Sequence, residues 1–590
     1  MIFSFSIFGN NKSQLLRMLR NWKLLSPRKI LFLPHILSPN EQRLLIFLLV
    51  SIIISGGTFL TRTYIRLTIP APAHGGDYTE GLLREPRLIN PLYAGSDTDG
   101  DLTRLIFSSL LSYTGSGIPE PDIAQSYEIS PDGKIYTLTL KNNVFWHDGK
   151  RLTADDVIFT VSAIQNPLYK SPFRPNWQGV ETEKVEENMV KFTLKSAYAP
   201  FIENLSIRII PKHLWEQIPP ERAGLHELNL SPVGSGPFQV AQMKQNKDGT
   251  IAWYRLEKNT NFYKEGPYLD TITFSFYKTE EEIIVALRRG DIDGFGPLTA
   301  QKEGEFARDR VSILKLPMPR LFGIFFNQRK SEILSDKNIR EAMAVSIPKN
   351  DIASAIATSG AIPSDSVLPP KNQIRQIPEH YVYSPEEGIA LLEEAGWRDE
   401  DGNGYREKKI KQKSKKEEII PLRFTLMTSD FPELIKTAGL IQESLKKVGI
   451  EIRIETYPFA ELETKIIRPR NFELLFFGQV YGYELDPFGF WHSSQVKDPG
   501  LNISSYASKT ADKILEDARK IFDHGARKQK YQEFENMILR DIPAVFLYSQ
   551  LYIYILPEDI RGVALNTISL PSDRFSEVNL WYKKTKRVFK

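Results

Sequence analysis

The chain has 590 residues, 25% of them charged, a formal net charge of +4 and no cysteine. Its length exceeds the ~100–200 residues of one domain, so at least two lobes are expected, each long enough to bury its own core. The small net charge, without any run that interleaves Lys/Arg with aromatics, argues against a nucleic-acid partner. The missing cysteine excludes disulfides, thiolate catalysis, cysteine metal sites and a lipid-modified cysteine as a membrane tether.

Residues 1–43 form a basic tail carrying Lys12, Arg17, Arg20, Lys23, Arg28, Lys29 and Arg43. Leu44–Leu60 follows, an uncharged run bracketed by Arg43 and Arg62 that at ~1.5 Å per residue nearly crosses a ~30 Å hydrocarbon core. Positive charge before the run, and none comparable just after it, predicts a retained single-span anchor with the tail inside and the body outside the cytoplasm. A cleaved signal peptide fits less well, because the charged region is too long. Residues 61–76, ending in the Pro/Gly-rich Pro70–Gly76, read as a linker.

In the body's opening stretch, from Thr79, the apolar spacing of Leu102, Leu105, Ile106 and Leu110 supports a helix. Tyr127–Ile129 and Ile135–Leu140 flank Asp132-Gly133, a hairpin signal, and Tyr136, Leu138 and Leu140 share one face of the second strand. After a turn at Asp148-Gly149, Thr153 followed by Asp156 has the spacing of a capping box, opening a helix with Val157, Val161 and Ile164 aligned. Thr182–Glu187 and Met189–Leu194 form a second strand pair, and Thr279–Arg289 a helix with Ile283, Ala286 and Leu287 inward. Leu316–Phe326 has the apolar, β-rich character of a crossing strand. Thereafter helices alternate with strands at Leu422–Met427, Ile450–Tyr457 and Phe472–Phe477, an α/β pattern. AVFLYSQLYIYILP, from Ala544, is strand-rich again, and the charged Glu407–Glu418 reads as a solvated loop.

The stretch from Asp122 through Asp156, together with PVGSGPFQV at Pro232, KNTNFYKEGPYLDTITF at Lys258, IREAMAVSIPKNDI at Ile339, LLEEAGWRDEDGNG at Leu391 and IQESLKKVGIEI at Ile441, resembles the extracytoplasmic solute-binding proteins of the dipeptide/oligopeptide class. These belong to bacterial family 5 and serve ABC importers. The resemblance implies a periplasmic-binding-protein-like α/β fold of type II, with two lobes, an extra subdomain and a two-stranded hinge, here preceded by one transmembrane helix. It divides the body into lobe I (77–100, 230–315 and 541–590), a subdomain of lobe I (101–229) and lobe II (316–540). It further implies a monomer without enzymatic activity or cofactor, which captures an oligopeptide-like solute between closing lobes and delivers it to ABC permease subunits at the cell surface. A ligand-sensing receptor of the same fold and a non-peptide solute such as an oligosaccharide are the alternatives.

Other motifs are weak. Asp399, Asp401, Asn403 and Gly404 match the first half of a calcium loop, but the twelfth position is Ile410 where a bidentate Glu is required, so a plain turn is expected. Ser444 and Lys447 fit the SxxK pattern of exported serine acyl-transferases, without a convincing SxN or KTG motif following. No His pair has metal-ligand spacing, so no metal is expected. The richest stretch is FFGQVYGYELDPFGFWHSS, from Phe476, which mixes carboxylates with aromatics as a solute cleft requires. Its Gln479, Tyr483, Glu484, Asp486 and Trp491 are the candidate ligand residues. In peptide-binding relatives this loop supplies an aspartate that pairs with the ligand's amino terminus; Tyr483 occupies that place here. Glu484 and Asp486 are the nearest substitutes.

Overall fold

The computed structural model describes residues 38–306, 309–356, 360–369, 381–411 and 417–590. The chain divides into two units, the first comprising the residues up to Ala71 together with Thr585–Lys590, the second Pro72–Lys584.

In the first unit a helix runs over Pro39–Leu67, and its Gln42–Leu67 portion is long and apolar enough to cross a membrane. Its apolar side chains, Ile46, Phe47, Ile53 and Phe59 among them, are exposed. The helix extends beyond both ends of the uncharged run. Thr68–Ala73, part of the expected linker, instead forms a strand paired with Lys584–Phe589. Two prolines do not prevent this, because each strand of a two-stranded ribbon keeps one edge that needs no donor. Arg587 fastens the ribbon to the helix end, donating from Nε to Thr68 Oγ1 at 2.8 Å and from Nη2 to the Ile65 carbonyl at 2.9 Å.

The second unit is organised by an eleven-stranded sheet. On one side, Arg423–Ser429 pairs in parallel with Glu451–Tyr457 and Leu474–Val480, the parallel strands expected of an α/β lobe. On the other, Asp77–Leu83 pairs in parallel with Thr271–Tyr277 and Gly294–Phe295, and Thr271–Tyr277 continues into the antiparallel Ile251–Lys258 and Phe238–Gln245. Two long antiparallel strands, Val311–Phe326 and Ala544–Pro557, join the halves. The ladder between them breaks from Pro317 to Leu321. Pro317 and Pro319 have no N–H to give, so a break here is dictated by the sequence. Ser549 fills it, its hydroxyl lying 3.2 Å from the Met318 carbonyl and 2.9 Å from that of Arg320.

At the same point the crossing strands change cores. Leu316, Met318, Tyr552 and Tyr554 pack in one apolar cluster with Tyr254, Phe274 and Trp581. Beyond the break, Leu321, Ile324, Phe326 and Val545 pack in clusters built on Leu426, Ile441 and Phe476 or on Leu475 and Phe546. Separate cores on either side of two crossing strands, whose ladder breaks at Pro317 and Pro319, form the two-stranded connection expected of the fold.

The expected hairpin is present as Ala124–Ile129 and Ile135–Leu140, within a four-stranded antiparallel sheet completed by Met189–Thr193 and Glu181–Glu186. Asp156 caps the helix Ala154–Gln165, accepting the Thr153 N–H at 2.9 Å, and also accepts the Lys212 N–H at 2.9 Å. This part shares its core with the side of the sheet built on Asp77–Leu83 and Thr271–Tyr277, since Tyr136, Leu138 and Trp146 lie in one cluster with Tyr254 and Phe274. The charged segment read as a loop is a ribbon of Glu407–Lys411 against Glu417–Pro421, with Lys411 opposite Glu417.

Candidate functional site

The strand Leu474–Val480 leaves the sheet beside the proline break, where Tyr481 N–H donates to the Pro319 carbonyl at 2.8 Å. The loop that follows borders a cavity of about 1040 Å³, at the top of the ~300–1,000 Å³ usual for small-molecule sites. Gly482, Glu484, Asp486 and Phe488 form one wall. The segment from Lys195 to Arg208, including Tyr198 and Glu203, lines the cavity as well, with Leu570 and Ser572 contributed by the C-terminal segment.

The candidate ligand residues divide. Glu484 and Asp486 line the cavity; Tyr483 lies beside it, stacked on Tyr113 at 4.2 Å between ring centroids. Trp491 does not reach the wall. It is wholly buried, with Phe325, Tyr506, Phe534 and Phe546 around it, because the short helix Phe488–Trp491 presents Phe488 to the cavity and turns Trp491 to the core. Gln479 is also buried away from the cavity, 3.4 Å from the Tyr481 hydroxyl that donates to it.

Both carboxylates expected to meet a ligand amine are already matched. Glu484 accepts from Arg527 Nη2 at 2.6 Å, and both side chains are almost fully buried. Asp486 Oδ2 accepts from Arg519 at 2.6 and 2.9 Å and from the Tyr198 hydroxyl at 3.3 Å, while Oδ1 accepts the Phe488 N–H at 3.2 Å. The Arg519 guanidinium lies over the Phe488 ring at 3.5 Å, so cation, carboxylate and ring hold one another in place. Arg527 sits in the first turn of the helix His524–Asp541, where the helix dipole disfavours a cation. That misplaced charge was the one sequence signal for the pair.

Sequence reasoning also missed Glu203, on the short helix Phe201–Asn204. Its carboxylate reaches the loop, accepting the N–H of Tyr483 at 2.8 Å and of Glu484 at 3.3 Å. A Cβ on residue 482 would lie 1.9 Å from Glu203 Oε1, so Gly482 leaves the space that the carboxylate fills. Burial pushes the Glu203 pKa up to about 7, against the two N–H bonds that favour the anion, and the nearby Glu484 charge pushes it further. A raised folded-state pKa means that the associated stability is fully present below the unfolded value of 4.5 and is lost as pH rises through about 7. Asp101 is also raised to about 7, so the comparison belongs between wild type and variant. From about pH 5 to about pH 8 the melting temperature of the unliganded chain should fall more steeply than that of Glu203→Gln. Parallel curves would contradict it.

The acidic turn needs no ion to account for its geometry. Asp399 accepts the Gly404 N–H at 3.0 Å, Asp401 the Asn403 N–H at 3.1 Å, and Glu407, the third carboxylate nearby, the Glu400 N–H at 2.8 Å.

Comparison with known proteins agrees with this architecture. Residues 119–499 match the bacterial extracellular solute-binding proteins, family 5 middle region. The oligopeptide-binding protein AppA of Bacillus subtilis is 30% identical over 505 residues, covering 83% of this chain and 89% of that protein. Its solved structure, in complex with a nonapeptide, superposes with a TM-score of 0.68 at 28% identity, covering 87% of this chain and 99% of that one. NikZ from Campylobacter jejuni, solved in complex with Ni(L-His), has a TM-score of 0.67 at 25% identity, covering 86% and 99%. Two separately cored halves, two crossing strands and a cavity at their junction, in a chain matched by the family over most of its length, place this protein among the bacterial extracellular solute-binding proteins of family 5.

Proposed function

We propose that the chain captures a peptide-class solute in the cavity beside loop 482–486 and presents it to the permease subunits of an ABC importer, without chemical change. The observation that carries this reading is the cavity itself: it is lined by segments that belong to different cores, and the two long crossing strands join those cores. A hinge at the interruption lets ligand contacts made in the closed state drive closure. The change of cores along the crossing strands supports a division into lobe I (77–100, 230–315 and 541–590), its subdomain (101–229) and lobe II (316–540). AppA, whose structure is solved in complex with a nonapeptide, supports peptide as the solute class. The acyl-transferase alternative is disfavoured by Ser444, which is buried in the helix Pro432–Lys446 and donates its hydroxyl to the Leu440 carbonyl at 2.7 Å.

The test is retention of peptides by the detergent-solubilised full chain from a protease digest of casein. Specific peptides should be retained and the melting temperature should rise, because a ligand bound only to the native state stabilises it by about 2.7 kcal/mol at a hundred times its Kd. An unchanged melting temperature with the digest and a rise with an oligosaccharide mixture would overturn the peptide assignment.

The helix Gln42–Leu67 supports a retained anchor. After alkaline washing of membranes the full-length chain should remain in the pellet, with the body open to protease added from outside. A soluble product beginning shortly after Ser55 would contradict this.

A further inference from the structure

The sequence puts only Arg62 and Arg66 close behind the membrane-spanning run, but the fold gathers more positive charge there. The ribbon strand Lys584–Phe589 returns to the helix end, and residues 585–590 bring Lys586, Arg587 and Lys590 with it. Residues 61–71 and 585–590 together hold these five cations and no Asp or Glu. All five are exposed, and among the described residues no carboxylate pairs with any of them.

Part of this charge serves the helix. The Arg587 guanidinium donates to the Ile65 carbonyl at 2.9 Å, the Thr68 hydroxyl to that of Tyr64 at 2.5 Å, and the Lys590 N–H to that of Leu67 at 2.9 Å, which satisfies the last carbonyls. Capping accounts for Arg587, and the negative end of the helix dipole for Arg66 in the last turn. Neither accounts for Arg62, Lys586 or Lys590, whose side chains make no bond among the described residues. Around the charges lie exposed apolar groups: Phe589 is 74% exposed with Tyr64 edge-on to it at 6.5 Å, and Ile65, Leu67 and Ile69 are about half exposed. At ~1.5 Å per residue, Arg62 to Leu67 lies roughly 3–10 Å beyond the uncharged run, which overlaps the headgroup layer of a bilayer ~40–45 Å thick around a ~30 Å core. Tyrosine rings and exposed apolar groups are suited to that level, and long cationic side chains reach phosphate there.

We propose that the helix end and its ribbon form a collar seated in the outer headgroup layer, which binds anionic phospholipid through Arg62, Arg66, Lys586 and Lys590. This rests on the retained-anchor reading. The added charge leaves the orientation inferred from the basic tail intact, because Lys586, Arg587 and Lys590 lie far along the chain, and only charges close to the span in sequence orient it.

Because the chain has no cysteine, Thr585→Cys gives a fluorescent dye one attachment point, at an exposed position of the ribbon. The labelled full chain is placed in nanodiscs of equal parts phosphatidylglycerol and phosphatidylcholine, with a nitroxide quencher on the acyl chains of one lipid or the other. Quenching by the labelled phosphatidylglycerol should be the stronger by about twofold or more, well inside the about fivefold that one cation near an anionic surface supplies. High salt should lower that ratio, a readout that needs no variant. Arg62→Gln, Arg66→Gln, Lys586→Gln and Lys590→Gln together should bring it to about one, whereas Gln at Lys12, Arg17, Arg20 and Lys23 of the tail should leave it unchanged. Equal quenching by the two lipids, no quenching by either, or a ratio that survives the four ribbon substitutions would overturn the collar, while retention after alkaline washing would leave the anchor standing. Loss of the wild-type chain from washed membranes would overturn both.

Discussion

Replacing Arg574 with leucine should destabilise the chain by about 3–5 kcal/mol, the range for removing one partner from a buried ionic network. The side chain has no exposed surface and bridges two carboxylates that are equally hidden, Glu80 and Asp101. It donates to Asp101 at 2.7 and 2.8 Å and to Glu80 at 2.9 and 3.2 Å, with a further bond to the Pro571 carbonyl at 2.8 Å. Glu80 completes its shell with the hydroxyls of Tyr78 at 2.5 Å and Tyr554 at 3.0 Å, the latter from the second crossing strand. Burial pushes both carboxylates above their ordinary pKa, and Arg574 works against that rise. Removing the guanidinium would leave anions with neither cation nor water. Denaturant unfolding should therefore show a loss for Arg574→Leu that is partly restored by adding Glu80→Gln and Asp101→Asn, since the cost lies in the uncompensated charges. A loss within about 0.5 kcal/mol for the single variant, the usual size of a surface change, would contradict this.

Trp491→Ala should cost about 3–5 kcal/mol as well, through the void left in a packed core. Its ring lies 6.0 Å from Phe546 and 6.4 Å from Phe325, Tyr506 and Phe534, all measured between centroids. A residue that only stacked on ligand would show the opposite pattern, with affinity lost and the unfolding midpoint unchanged. Measuring both quantities on one preparation separates core from ligand platform.

Much of the fold was legible because its signals are local. Asp132-Gly133 between alternating strands specifies a hairpin, Thr153 and Asp156 specify a helix start, and Leu316–Phe326 could be read as a crossing strand from its apolar run. The Arg574 network was not legible, because Glu80 and Asp101 lie 494 and 473 positions away in the chain. Nothing in the residues next to Arg574 marks it for burial. The loop from Gln479 to Trp491 borders the cavity at Gly482, Glu484, Asp486 and Phe488, but its residues could not be divided from sequence, since carboxylates and aromatics serve equally in a core and in a cleft. Which way Trp491 turns depends on the packing of Phe534 and Phe546 behind it, and whether Glu484 is free depends on Arg527 in another helix. Glu203 carried no sequence signal, because its role depends on two backbone N–H groups of a loop far along the chain.

The central claim, that this is a binding protein whose cavity takes a peptide-class solute, is most directly tested by mass spectrometry of what the full-length chain carries when purified from its own membranes without denaturation. About one equivalent of a small peptide or peptide-like molecule should be released on unfolding, and that molecule, added back to the emptied chain, should raise its melting temperature. Release of an uncharged sugar that rebinds in the same way would contradict the account.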